Sequence, residues 1–431
     1  METDLDPDPR PRLLFVHSGS PKKRLTFEAA DALGVDAYLL TPEPNWAAPF
    51  VRELIPTAGM TLPRVLQTAA ELHRRVNLDG VVTFWEEDVP TAARIARHLG
   101  LRGTNPACAL AARSKLRMRT AFRRAGVPVP DFAPVDCEGS LLTAIDRIGL
   151  PAVLKPEWGS DSEWVTLVTT PAQALTAFRD SRRRVRSQDC IWGYPQGRFV
   201  LEGFLSGPEV SIEGVVQNGH VTLYAIIDKH DMAESSFIER GETTPSRHAD
   251  VVQAQIRQMV VAGVGALGLN DCGIHAEVKL TPEGPRIVEI GARMGGDCIQ
   301  ALVRRVYGID LAQENLRAAL GWPVSPTTAP VGCAISRTLV PEQAGLVHMD
   351  ERRARPRRSA NLIEVVFTKH AGDVVRIPPV GYDNLAWVSV WGKDYTTARR
   401  SLENRSLRVA AAMHIVPEIM PHSARSVAAG G

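Results

Sequence analysis

The segment His275-Ala276-Glu277-Val278-Lys279 sets three ionisable side chains at alternate positions. Alternate side chains of a strand share one face. Ile274, Ala276, Val278 and Leu280 then enter a core, while His275, Glu277 and Lys279 turn the other way. Such a face is either solvated or a site. Pro282-Glu283-Gly284 follows as a turn signal. A hairpin pivoting on Glu283 puts Glu277 directly opposite Glu289, where facing Cβ atoms lie about 4.5–5.5 Å apart and like charges repel. Two carboxylates so placed need a cation between them or a proton on one. A magnesium ion completed by phosphate oxygens fits that need. The plainer alternative is an exposed hairpin with two solvated glutamates.

Past Glu289 come Arg293 and then Met294-Gly295-Gly296-Asp297. An arginine beside a carboxylate-held metal can neutralise charge on a migrating phosphoryl group. The glycine pair lets a substrate approach the backbone. Upstream, Lys155-Pro156 leads into Gly159, Ser160 and Ser162. A strand-end lysine followed by small residues outlines a phosphate cradle, although no GxxxxGK[ST] motif is present. Leu201-Glu202-Gly203-Phe204-Leu205-Ser206-Gly207-Pro208-Glu209 leaves one strand, turns and opens another, with Glu209 placed to take a ribose hydroxyl pair.

The elements that must hold these groups read as mixed α/β. Strands at Leu13–His17, Ala37–Leu40 and Gly80–Phe84 alternate with helices at Leu25–Leu33, Leu62–Val76 and Val89–Leu99. That rhythm implies a small doubly wound domain over 13–112. The loops beyond its strands, Ser18–Lys23 and Trp85–Asp88 (with Glu87), then form a rim where ligands sit. From 113 the pattern changes to a helix at Ser114–Ala125 and strands at Ala152–Lys155, Trp164–Thr169 and Arg198–Leu201. Long antiparallel strands follow, including a hairpin at Asn218-Gly219, and a β-rich segment runs over 331–415. Residues 1–12 and 416–431 read as loose tails.

The 431 residues are 44% hydrophobic and 23% charged, as in ordinary globular proteins. A net charge of +2 implies no global field for nucleic acid or membrane. No apolar run reaches the roughly 18 residues of a transmembrane helix. The acidic, proline-rich start does not read as a secretory leader, so the cytoplasm is the expected compartment. Six cysteines without a C-x-x-C pair argue against a disulfide framework or zinc. Only eight of the 50 basic residues are lysine (22, 23, 115, 155, 229, 279, 369 and 393), so a lysine at an interior position is informative here. The arginine clusters at 179–186 and 352–358 read first as solvated loops, with an acidic partner as the alternative.

Taken in order, Lys115, the 154–162 segment, 201–209, 275–279 and 289–297 resemble the ATP-grasp superfamily of carboxylate–amine ligases, and within it the L-amino-acid ligases that make dipeptides. The resemblance implies an ATP-grasp fold, α/β and α+β. It has an N-terminal Rossmann-like domain (13–112), a lid (113–196), a central antiparallel sheet (197–325) and a β-rich C-terminal cap (326–415). It implies ATP contacts from Lys115, Lys155, Ser160, Ser162, Glu202, Gly203, Phe204, Leu205, Glu209 and Lys279. Glu277 and Glu289 would carry two magnesium ions, with manganese an acceptable substitute. Arg293 and Gly296, with Lys155, would be catalytic. Glu239, Glu242, Gly295, Asp297, Arg293 and Glu87 would face the amino-acid and amine substrates. Peptide-bond formation through an acyl phosphate, in specialised-metabolite or antibiotic biosynthesis, and a homodimer are the corresponding expectations.

Three positions depart from the family pattern. Trp164 stands where glycine often follows the serine-rich loop, so it should stiffen the lid or join the substrate pocket. Gly291 replaces a frequent asparagine ligand. Glu242 stands where related dipeptide ligases tend to have histidine. The rival readings are an ATP-grasp carboxylase, a nucleotide-biosynthesis ligase or a non-catalytic nucleotide-binding protein. A basic partner-binding protein using the arginine clusters is a further class.

Overall fold

A computed structural model describes residues 10–160, 162–185, 197–230, 237, 239–354, 359–377, 381 and 383–417. The apolar run at the start of the chain forms the strand Arg12–Val16, the centre of a parallel sheet in the order Glu53–Pro56, Asp36–Thr41, Arg12–Val16, Gly80–Val82. Leu13, Leu14, Leu39 and Leu40 are buried, as a sheet covered on both faces requires. The strand reaches back to Arg12, whose amide bonds the Asp79 carboxylate at 2.7 Å, so the expected tail ends earlier than 12. At the carboxyl ends, Thr83 Oγ1 donates to Val16 O at 2.8 Å and Trp46 Nε1 to Gly19 O at 3.0 Å. The His17 ring stacks on Trp85, with centroids 5.0 Å apart, and brings the start of the first rim loop against the second.

The second sheet is antiparallel, in the order Phe132–Val135, Phe199–Gly203, Ala152–Pro156, Thr166–Val168. Helices Glu138–Ile148 and Pro171–Val185 lie with it. Leu154, Phe199, Leu201 and Phe178 make its core. Alternation then turns Val153, Lys155, Val200 and Glu202 to the opposite face. Phe199–Gly203 belongs to this sheet, so the lid extends past the boundary expected at 196. Its neighbour in sequence, 186–196, lies outside the described residues, as do part of each arginine cluster and Cys190.

The largest sheet has eight strands in the order Gly284–Gly291, Cys272–Thr281, Glu209–Gln217, His220–His230, Gly241–Thr244, Cys333–Leu339, Ala386–Gly392, Leu362–Phe367. It does not stop at 325. Gly241–Thr244 pairs with Cys333–Leu339, and the supposed cap continues the central sheet. That C-terminal part also carries the 16-residue helix Tyr395–Ala410, which a purely β-rich reading missed. The Asn218-Gly219 turn is as expected: Gln217 pairs with His220, and Asn218 takes a left-handed φ of 49°.

Helix Asp250–Leu267 and helix Lys115–Arg124 cover one face through Ile256, Val260, Val264, Met118 and Phe122. Helices Ile299–Tyr307 and Leu311–Leu320 cover the other through Leu302, Val303 and Leu316. A Cβ on Gly263 would come within 2.5 Å of Ile287 Cδ1, so a larger residue there would have to displace the Ile287 and Ile290 side chains of the Cys272–Gly291 hairpin. Among the described residues no helix is long and apolar enough to cross a membrane.

Candidate active site

A cavity of about 520 Å³ opens between the three sheets, lined by residues from the N-terminal rim loops, the lid, the hairpin and the C-terminal strands. Its donors come from alternation on the strands. Ile274, Ala276 and Val278 are fully buried, while His275, Glu277 and Lys279 face the cavity.

Glu277 pairs directly with Glu289, as expected, but the turn is not centred on Glu283. Thr281 pairs with Gly284 and Val278 with Ile287. One extra residue, Val288, then bulges and restores the opposition of the two carboxylates. The Val288 carbonyl accepts from Arg119 Nη2 at 2.7 Å, so a fully buried arginine occupies the gap the bulge leaves.

Arg119 also reaches Glu202, with Nε at 3.0 Å, and Glu202 holds Lys155 at 2.7 Å. Burial pushes the Glu202 carboxyl up, but Arg119 and Lys155 overrule it and hold it at about 2. Burial pulls the Lys155 ammonium down to about 8, with Glu202 resisting. The Glu202 side chain thus anchors cations. Gly203, Phe204 and Leu205 beyond it line the cavity. Lys115 opens its helix and spans two elements: Nζ lies 2.8 Å from Gly159 O and 3.2 Å from Glu289. Ser160 donates to Glu87 at 2.8 Å, joining lid loop to rim loop. Ser162 also lines the cavity. Trp164 packs on the lid's own core and does not line the cavity, so of its two expected roles the stiffening one fits. Its φ of 61° is a conformation that glycine adopts freely.

Lys229 lies outside every motif segment. Its ammonium lies 2.7 Å from Glu209, 2.7 Å from Glu277 and against Glu239. The carboxylate oxygens of these three glutamates fall within 4.8 Å of one another around it. Burial works against the charge, yet the three carboxylates hold the ammonium well above its usual pKa. Glu277 is correspondingly held low despite burial, by Lys229 and His275. Glu239 is pushed up by burial beside two other carboxylates. Lys279 adds a contact to Glu209 at 3.3 Å. A signal existed: Lys229 is one of eight lysines and ends an apolar strand.

On the other side of the hairpin, Glu86 pairs with Arg293 Nε and lies 3.2 Å from Arg113. Burial pushes Glu86 up, and Arg293, Arg113 and Lys115 bring it down to about 2. The rim loop was expected at the site, but Glu86 and Arg113 were not singled out. A Cβ on Gly291 would stand 3.2 Å from Glu86 Oε2, so this carboxylate fills the space beside the position where the family resemblance led us to expect asparagine. Glu213, wholly buried, receives the Gly295 amide at 2.8 Å and meets His275 Nδ1 at 2.5 Å. Burial opposes charge on His275, but Glu213 and Glu277 raise it to about 10. Gly295 leaves no room for a Cβ, which would fall 2.7 Å from Glu213 Oε1. Glu213 also went unnoticed, although it shares a strand face with Glu209 four residues earlier.

Glu242 and Asp297 complete the cavity together with Gly296. Asp297 adopts φ 44° and stands 3.7 Å from Lys22. Burial, Glu239 and Asp297 all push the Glu242 carboxyl up. Glu277 and Glu289 offer hard oxygen donors on directly opposed residues, beside Lys115 and facing the same cavity as Lys155. That donor set fits a divalent cation shared with phosphate oxygens.

Family models match this architecture: an ATP-grasp domain over 148–301 and an ATP-grasp N-terminal domain over 27–103. The chain belongs to the ATP-grasp family. More particularly, it is 29% identical over 328 residues to carnosine synthase 1 of Mus musculus, covering 72% of this chain and 40% of that protein. It is 30% identical over 250 residues to the alanine–anticapsin ligase of Bacillus subtilis, covering 55% and 52%. Its fold superposes on an L-amino acid ligase from Bacillus licheniformis with a TM-score of 0.81 at 20% identity, covering 95% of this chain and 100% of that one. The chain spans about 40% of the length of the carnosine synthases it matches.

Proposed function

We propose that this protein is an ATP-dependent, ADP-forming carboxylate–amine ligase that joins an amino acid to an amine or a second amino acid through an acyl phosphate. The observation that carries this reading is the opposed Glu277–Glu289 pair in a cleft also lined by Lys115, Lys155 and Arg293, with the buried Lys229 against Glu277. The relatives named for peptide ligation support it.

In this reading Lys155 and Lys115 meet the nucleotide phosphates, and the 203–205 backbone with Glu209 takes the nucleoside. Glu277 and Glu289 would hold magnesium, whose chemistry is to neutralise and align phosphate oxygens. The substrate carboxylate attacks the γ-phosphorus in line, and ADP leaves. Arg293 and the Gly296 amide would stabilise the charge that grows on the migrating group and then on the oxygen of the tetrahedral intermediate. The amine attacks the acyl carbon, the C–O bond to phosphate breaks, and the amine's proton passes to a base. The Lys115–Gly159 and Ser160–Glu87 contacts keep the lid loop over the site, which excludes water from an acyl phosphate that it would hydrolyse. We also propose a cytoplasmic homodimer, which sedimentation and fractionation would check.

The test is ADP release across all pairs of amino acids, with mass spectrometry of products. The expected result is ADP release that needs both partners and yields a mass equal to their sum less water. ADP release driven by bicarbonate, or ATP binding with no turnover on any pair, would overturn the reading.

A further inference from the structure

Where the N-terminal rim loop meets the C-terminal strands, the cavity holds two buried polar atoms that find no hydrogen-bond partner among the described residues. One is Lys22 Nζ, 3.4 Å over the Trp387 ring and 3.7 Å from Asp297, with no acceptor in bonding range. The other is Glu242 Oε1. Glu242 is 4% exposed, and only its second oxygen is served, by Ser336 Oγ at 3.2 Å. Lys22, Glu242, Asp297 and Trp387 line one cavity, and Lys22 is near enough for its charge to act on Glu242. Leaving buried polar groups unpaired costs free energy, and a ligand that supplies the missing partners removes that cost.

The other acidic groups here are already engaged. Glu209, Glu239 and Glu277 surround Lys229, with Lys279 and His275 adding charge. Glu87 accepts from Ser160. Glu242 is left with an open acceptor, and Lys22 with open donors.

We propose that Lys22 and Glu242 form a zwitterion clamp for the second substrate, which is therefore a free amino acid and not a simple amine: its ammonium lies on Glu242 Oε1 and its carboxylate on Lys22 Nζ. This rests on the ligase reading and narrows it. The donor's carboxylate is consumed in the reaction, so a carboxylate held by Lys22 belongs to the acceptor and becomes the carboxyl end of the product. A carboxamide or a decarboxylated amine satisfies Glu242 alone and leaves the buried ammonium of Lys22 without a hydrogen-bond acceptor. Sites built to bond a group reject analogues that lack it. Trp387 holds Lys22 in place from the C-terminal side, so the clamp needs both ends of the chain.

The experiment has two arms on the full-length protein. Wild type is first given ATP, magnesium, hydroxylamine and each amino acid in turn. Hydroxamate marks a donor and reports acyl-phosphate formation without using the clamp. If none forms, the ligase reading itself fails. With the donor found, KM is measured for acceptor amino acids, their carboxamides and their decarboxylated amines. The free amino acid should have a KM at least about tenfold lower, the scale of one charge-assisted hydrogen bond. Lys22→Met should erase that preference and Lys22→Arg should keep it. Glu242→Gln should raise KM for every acceptor. A wild type that uses the carboxamide as well as the free acid overturns the clamp, with no variant needed. So does a Lys22→Met enzyme that keeps the preference.

Discussion

Replacing Lys229 with methionine isolates the charge at the centre of the cleft. Methionine keeps the length of the stem and deletes the ammonium, which is 1% exposed and touches Glu209, Glu239 and Glu277. Removing one partner of a buried ion pair typically costs about 3–5 kcal/mol, because the other charge is left uncompensated. Here three carboxylates lose one cation, so the upper part of that range applies. For a chain of this length that corresponds to a melting midpoint lower by about 5 °C.

The pH dependence gives the sharper test. Without the ammonium the crowded carboxylates gain folded-state pKa values above their unfolded ones. Their repulsion is fully felt at high pH and is relieved as pH falls and they take up protons. In the wild type, Lys229 holds Glu277 well below its usual value, so this carboxylate gives no such relief over the same span and Glu239 alone takes up a proton there. The gap between the two melting curves should therefore shrink steadily from about pH 8 to about pH 5. A deficit under about 1 kcal/mol, or one that stays constant with pH, would refute the idea that Lys229 neutralises this cluster.

Glu289→Gln should abolish phosphate release while leaving the circular dichroism spectrum and melting curve near wild type; substantial turnover would remove Glu289 from the metal assignment. Arg293→Ala should lower kcat at least about 100-fold, the usual cost of one lost transition-state donor. The Lys155 ammonium is brought down to about 8, so KM for ATP should rise as pH passes upward through that value, and Lys155→Arg should flatten the rise. Gly295→Ala places a methyl 2.7 Å from Glu213 Oε1 and should cost roughly 1–3 kcal/mol of stability, read by denaturant melting, with a loss of turnover.

Local chemistry was readable because it has a period. The alternation around Glu277 identified the site face of the strand, and helix Leu62–Val76 begins and ends where its pattern does. The register of the hairpin was harder. Pairing 277 with 289 was right, but it depends on a bulge at Val288 that no turn residue announces. The ionic frame was the least legible part. Arg119 meets Glu202 across 83 positions of chain, and Glu213 meets His275 across 62. Sequence spacing specifies which face a charge takes, whereas its counter-charge is chosen by tertiary packing. Trp164 sits between these cases: its residue type flagged an anomaly, and only its φ and packing revealed which role it takes.

The eight-stranded sheet has a consequence for how this chain can be cut. Gly241–Thr244 is four residues long and lies mid-sheet, with Cys333–Leu339 hydrogen-bonded to its far side. A truncation after 325 would keep every family motif yet turn that strand into a raw edge, a template for joining other chains. The matched span 148–301 is thus a unit of recognition but not of autonomy. Any shuffling that exchanges the carboxyl-terminal quarter would have to carry over a strand that completes its neighbour's hydrogen bonds.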